Sequence, residues 1–211
     1  MNFHFVDRII SLEPGKKAIG IKHVTPSDFY LMPSTRFKDK ITLMGSIVGE
    51  ALGQLCSWCV IKATHAKFRP VAGIVSQAFV YGEVFLGDTI FLEIEIDKLD
   101  EEAVNWSGKA SVNGQTIFQV VASVGPCLEM EDFNDPKEVL HHLQLIDRPW
   151  EGDLAQYHEN FFIHPEVNLP PFSFNSLTSQ NLQASSILRY DRITEIKPQQ
   201  SLTAQKQLSI L

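Results

Sequence analysis

The chain has 211 residues, 44% hydrophobic and 20% charged, with a formal net charge of −7, the profile of a globular protein with enough apolar mass for a real core. The acid excess argues against nucleic acid as a partner, because neutralising phosphates needs a basic surface. Three cysteines do not make a disulfide framework and fit a reducing compartment; with no apolar run long enough to span a bilayer and no signal-peptide pattern at "MNFHFVDRII", a cytoplasmic location is expected.

In chain order, "FHFVDRIISLEP" and "KKAIGIKHVT" are strand-like runs parted by Pro14-Gly15. A long apolar helix is predicted over 43–63. Its Met44, Ile47, Val48, Ala51, Leu52, Leu55, Cys56, Cys59 and Val60 recur with helical spacing over a broad arc, so it should be wrapped by other elements rather than laid on a surface. Gly45, Gly49 and Gly53 each weaken a helix by about 1 kcal/mol, which suggests close approach of strands there. The runs "AGIVSQAFVYG", "DTIFLEIEIDKL", "AVNWSGKASV" and "QTIFQVVASVG" follow, the last two joined at Asn113-Gly114, a pair suited to a two-residue hairpin turn.

Beyond this point the pattern changes. Asp135-Pro136 provides a cap and a first-turn proline for a helix through "KEVLHHLQLI", and after Pro149 the sequence loses any sustained period. From residue 188 an earlier theme returns. "RYDRITEIKPQQSLTAQKQLSI" aligns with "FVDRIISLEPGKKAIGIKHVTP" at an offset of 184, with Asp7/Asp191, Arg8/Arg192, Ile9/Ile193, Pro14/Pro198 and Lys22/Lys206 identical. This reads as an internal repeat, a strand hairpin over 188–208 resembling the start of a second unit. The organisation expected is therefore a domain over 1–128, a helix plus irregular connector over 129–187, and a hairpin over 188–211. Strand, strand, long buried helix and then consecutive strands is the outline of an α+β hotdog fold, an antiparallel sheet wrapped around a central helix.

Residues 3 to about 125 resemble the 3-hydroxyacyl-ACP dehydratases of fatty-acid synthesis. "VDR", "PG" and "VT" in the first two runs, "GEALGQL" in the helix and "VYGEVFLGDTIFLEIEI" after it carry the likeness. The family's catalytic loop reads His-Phe-Pro-x-x-Pro-x-Met-Pro-Gly, with an acid five positions after the glycine. Without a gap, that glycine is Gly45 and the acid Glu50, but the histidine position holds Arg36 and the loop prolines fall on Lys38, Ile41 and Met44.

The resemblance implies that Glu50 and the Gly45 N–H are catalytic, with the carboxyl serving the departing hydroxyl and the N–H polarising a thioester carbonyl. Arg36, Phe37 and Gln54 would bind substrate. Arg36 cannot take the proton that the family's histidine removes, because a guanidinium stays protonated and only donates. His23 and His4 are the other histidines weighed as bases; an edge or turn role is the plainer reading for both. His65 should serve the helix C-terminus and His141-His142 an exposed helix face.

Cys56-Ser-Trp-Cys59 lies mid-helix, where core packing is expected rather than thiolate chemistry. No metal-ligand spacing is seen, and neither a metal nor another cofactor is expected. Lys62, Lys67 and Arg69, with His65, form a candidate docking group for an acidic carrier protein.

The expectation is an acyl-ACP or acyl-CoA binding protein of dehydratase lineage, impaired in or lacking stand-alone dehydration, and paired as a homodimer or with another hotdog unit. The alternatives are a thioesterase using Glu50 and a non-catalytic subunit that completes a composite site.

Overall fold

The computed structural model describes residues 5–152 and the backbone of 192–197 and 201–205. Strands β1 (Arg8–Glu13) and β2 (Lys17–His23) form the opening antiparallel hairpin. Gly15 takes φ 71° in its turn, a conformation glycine adopts without steric penalty, and a bulge separates Ile9 from Ser11. β3 (Leu31–Pro33) and β4 (Ile41–Leu43) make a second, short hairpin that leads directly into helix α1 (Gly45–Ala63).

After α1 come β5 (Phe68–Pro70), β6 (Ile74–Val80) and β7 (Val84–Phe85), then the long strands β8 (Thr89–Leu99), β9 (Ala103–Val112) and β10 (Gln115–Glu129). The main sheet runs β1-β2-β8-β9-β10, with β6 and β5 side by side along the far edge of β10, and all these pairs are antiparallel. β3, β4 and β7 form a separate small sheet. The β9–β10 turn has Asn113 and Gly114 at φ 52° and 75°, as that residue pair predicts.

Helix α1 is wrapped, as its apolar arc requires: Leu52, Leu55, Cys59, Val60 and Ile61 are buried with Ile90, Leu92 and Val104 of the sheet in one core. This is a hotdog fold. Burial of so many large side chains, at roughly 1.5–3 kcal/mol each, offsets the glycine penalty several times over. Of the three helix glycines, only Gly49 lies where a strand comes close: a Cβ there would meet the Phe118 ring at 3.1 Å, whereas Gly45 and Gly53 face open space.

Helix α2 (Pro136–Ile146) begins on Asp135, whose side chain accepts the Lys137 N–H at 2.8 Å, and buries Val139, Leu143 and Ile146 in the same core. His142 is not on an exposed face, as expected, but stacks on the buried Trp58 with 5.4 Å between ring centroids. The chain then runs beside β1: Ile9 bridges Asp147 in parallel, and the Arg148 and Trp150 N–H groups donate to the Ile9 and Ile10 carbonyls at 3.1 and 2.9 Å. Farther on, β11 (Arg192–Lys197) and β12 (Ser201–Gln205) form an antiparallel hairpin.

Candidate active site

The β3–β4 hairpin and α1 divide the candidate residues between two places. α1 starts at Gly45 after Met44, which provides no side-chain cap; the Ile47 N–H turns back to the Met44 carbonyl at 2.9 Å, and the Gly45 and Ser46 N–H groups precede the first intrahelical bond. Gly45 is exposed, with nothing within 4 Å of where a Cβ would stand. One and a half turns on, the exposed Glu50 accepts from Gln54 Nε2 at 3.0 Å. Gln54 is buried, and its Oε1 accepts the Phe5 N–H at 3.1 Å, so the amide is held at both ends and orients the carboxylate. Gly45 and Glu50 lie in the first two turns of α1, about 140° apart around its axis, and Gln54 lies at its middle. Glu50 is exposed although Ile47, Val48 and Ala51 beside it are buried in the core.

Arg36 and Phe37 lie elsewhere. Pairing from Leu31↔Leu43 to Pro33↔Ile41 directs residues 34–40 away from the start of α1, and at about 3.4 Å per residue the tip is on the order of 10 Å from Leu43. Ser34 shapes this tip: its Oγ accepts the Arg36 and Phe37 N–H groups at 3.1 and 2.9 Å and donates to Glu83 Oε2 at 2.7 Å. Thr35 Oγ1 also donates to Glu83, at 3.4 Å. Phe37 meets Phe85 edge-on at 5.6 Å, with Lys40 Nζ over both rings. Among the described residues, no hydrogen bond or ion pair joins Arg36 to Gly45, Glu50 or Gln54.

The three cations considered for carrier docking do not form a free patch. Lys62 pairs with Asp147 and Lys67 with Glu101, the latter at 3.2 Å. Arg69 is buried, with its guanidinium 4.9 Å from the centre of the Phe133 ring. Burial lowers the Arg69 pKa, and the negative charge of Glu50 opposes that shift, so Arg69 acts electrostatically on the Glu50 side of the fold.

His23 is neither an edge nor a turn residue. It is buried at the end of β2, its Nδ1 is 3.0 Å from Thr89 Oγ1, and its N–H donates to Asp7 Oδ2 at 2.6 Å. Burial, with the Lys22 charge adding to it, lowers its pKa to about 4, so the ring is neutral near pH 7. Lys22 is itself buried, 2.8 Å from Asp28 and 3.8 Å from Asp7. These groups form a structural network beneath the opening hairpin. His65 is exposed just past α1 at φ 50°, with its N–H donating to the Lys62 carbonyl at 3.4 Å; His4 lies outside the described residues. Cys56 and Cys59 are packed in the core, where burial raises both thiol pKa values.

Sequence reasoning missed Glu83 as the anchor of the hairpin tip, and it took Arg69 for a docking cation rather than a buried charge that feels Glu50. Nothing in "VYGEV" or "KFRPV" marks either role, since both depend on pairing between segments far apart in the chain.

The FabA-like domain model matches residues 1–121. The chain belongs to the FabA-like domain family. Among its relatives is a 3-hydroxyacyl-[acyl-carrier-protein] dehydratase FabZ of Halalkalibacterium halodurans, 34% identical over 119 residues, 56% of this chain and 83% of the relative. The same enzyme of Clostridium acetobutylicum is 35% identical over 111 residues, 52% and 77% of the two chains. A solved structure described as a hypothetical thioesterase with coenzyme A, from Streptococcus pneumoniae TIGR4, aligns at a TM-score of 0.45 with 10% identity, over 58% of this chain and 86% of that one.

Proposed function

We propose that this FabA-like chain binds acyl thioesters of a carrier protein or coenzyme A through the start of α1, and that it does not dehydrate 3-hydroxyacyl thioesters by itself. The observation that supports this reading is that Gly45 and Glu50 both lie in the first two turns of α1, while the position that aligns with the family's base is Arg36, on the β3–β4 hairpin tip.

The Gly45 N–H, at the positive end of the helix dipole, polarises a thioester carbonyl. Glu50, held by Gln54, is the carboxyl that can exchange a proton with the 3-hydroxyl. Dehydration further requires a base for the α-proton. Arg36 cannot be one, and the His23 ring is buried with its Nδ1 against Thr89 Oγ1. What Arg36 can do is donate paired hydrogen bonds to an anion such as a phosphopantetheine phosphate.

The exposure of Glu50 favours a second reading alongside the first, that another hotdog unit covers this end of the helix and contributes the missing base. The test assays the purified chain, Arg36→His and Glu50→Gln on 3-hydroxyacyl and saturated acyl thioesters, with binding measured by calorimetry. The expected result is binding with dehydration down by about 10²–10⁴-fold, the usual contribution of a general base. Robust dehydration by the unmodified chain, lost in Glu50→Gln, would overturn the reading, and Glu50-dependent hydrolysis would identify a thioesterase instead.

A further inference from the structure

The β11–β12 hairpin repeats more of the β1–β2 hairpin than its sequence suggests. The pairs Arg192↔Gln205, Ile193↔Ala204, Glu195↔Thr203, Ile196↔Leu202 and Lys197↔Ser201 are those of Arg8↔Ile21, Ile9↔Gly20, Ser11↔Ile19, Leu12↔Ala18 and Glu13↔Lys17, each displaced by 184 positions. The irregularity recurs too, between Ile193 and Glu195 as between Ile9 and Ser11. A bulge is a specific local feature that sets twist and register, so its recurrence in place is much harder to obtain by chance than a generic hairpin. Asp7, just before β1, and Lys22, near the end of β2, are buried charges that also recur in the sequence as Asp191 and Lys206.

In the first unit, β2 is not complete without β8: Lys17 to His23 pair residue by residue with Glu95 to Thr89. A hairpin of this design therefore calls for a strand of the β8 type. The β8 of this chain is already paired along that whole edge, and the new hairpin is not a substitute for the old one. Gly20 has no room for growth, since a Cβ would stand 3.1 Å from Leu55 Cδ1 and 3.2 Å from the Arg8 carbonyl oxygen, yet the repeat has Ala204 there. The buried Ala18 becomes Leu202, three heavy atoms larger, and overpacking a filled core is destabilising. On the other face, Ile10, Ile19 and Ile21, which gather with Phe91 and Trp150, become Thr194, Thr203 and Gln205. The differences are coordinated: larger residues at the positions that meet the helix, polar ones at those covered by Trp150.

We infer that residues 192–205 are the opening hairpin of a second hotdog unit, distinct from the first, whose own β8-type strand pairs with β12 and whose central helix leaves more room than Leu55 does. The hairpin is an assembly edge for that unit, not a spare copy for this one.

Hydrogen exchange read by mass spectrometry tests this on the 211-residue chain and on the product of its complete natural reading frame. The expected result is a second hotdog unit in the longer product, with residues 192–205 protected to within about 10-fold of residues 8–21 there and at least about 10²-fold less protected in the 211-residue chain. Leu202→Asp should abolish the protection, while Thr203→Ser should leave it. A reading frame without a second hotdog unit, or equal protection of the two hairpins in the 211-residue chain, would overturn the inference; light scattering in the latter case separates docking on the same chain from exchange between copies.

Discussion

At one edge of the main sheet, β1 receives a parallel partner from residues 147–150, with Arg8 Nε donating to the Arg148 carbonyl at 2.7 Å and Trp150 packed over Ile10, Ile21 and Phe91. At the other, β6 pairs only with β10 among the described strands, and every one of its residues is exposed, Ile74 at 71% and Val80 at 62%. A bare strand edge bearing large apolar side chains is a liability that proteins ordinarily cover or charge. The chain covers the first edge itself and leaves the second apolar. The open edge also neighbours the start of α1: a Cβ at Gly49 would meet the Phe118 ring, and Phe118 pairs with Val80. The difference teaches that the closed edge serves stability, whereas the open edge and the helix end beside it are suited to a second hotdog unit.

The largest effect is expected on the closed side. Asp28→Ala removes the nearest anion from the buried Lys22 and leaves Asp7, at 3.8 Å, as its remaining carboxylate; breaking a buried pair destabilises by up to about 3–5 kcal/mol. Urea unfolding would show the midpoint shift, and a change below 1 kcal/mol, roughly the level of a surface pair, would mean that Lys22 is solvated.

Next is the pH dependence of the same region. The His23 pKa is about 4 in the fold against an ordinary 6.5, so the unfolded chain binds more protons between these values and stability rises with pH. The contribution is present above pH 6.5 and is lost as pH falls toward 4, by up to about 3 kcal/mol. Stability measured at intervals over this range should fall less steeply in His23→Gln than in the unmodified chain; parallel slopes would place the ring in water.

Trp150→Ala uncovers the cluster of Ile10, Ile21 and Phe91 and is expected to destabilise by about 2 kcal/mol, with faster amide exchange at β1 than at β8. Unchanged exchange at β1 would show that the parallel segment contributes little to closing that edge.

The smallest effect on subunit stability, within about 0.5 kcal/mol, is expected from Val80→Lys on the open edge. Its mass by light scattering is the sharper reading. If β6 is a pairing edge, the mass of the variant falls below that of the unmodified chain with unfolding unchanged; an unaltered mass would exclude it.

The sequence by itself determined the succession of long elements and the wrapped helix, because the broad apolar arc of 44–60 and the alternating runs around it are local patterns with one economical burial. It also determined the α2 cap at Asp135-Pro136 and the Asn113-Gly114 turn, whose backbone angles follow from those residue types. The Gly45 and Glu50 positions were legible through resemblance. Tertiary structure alone decided that Arg36 stands apart from them on a hairpin tip, since β3 and β4 are three-residue strands too short to show a period. It alone decided that Arg69 is buried beneath Phe133 near Glu50, that His142 stacks on Trp58 and that His23 is held neutral by burial. Each of these depends on which distant segment arrives alongside, and a side chain's charge state and accessibility are properties of its neighbours in space.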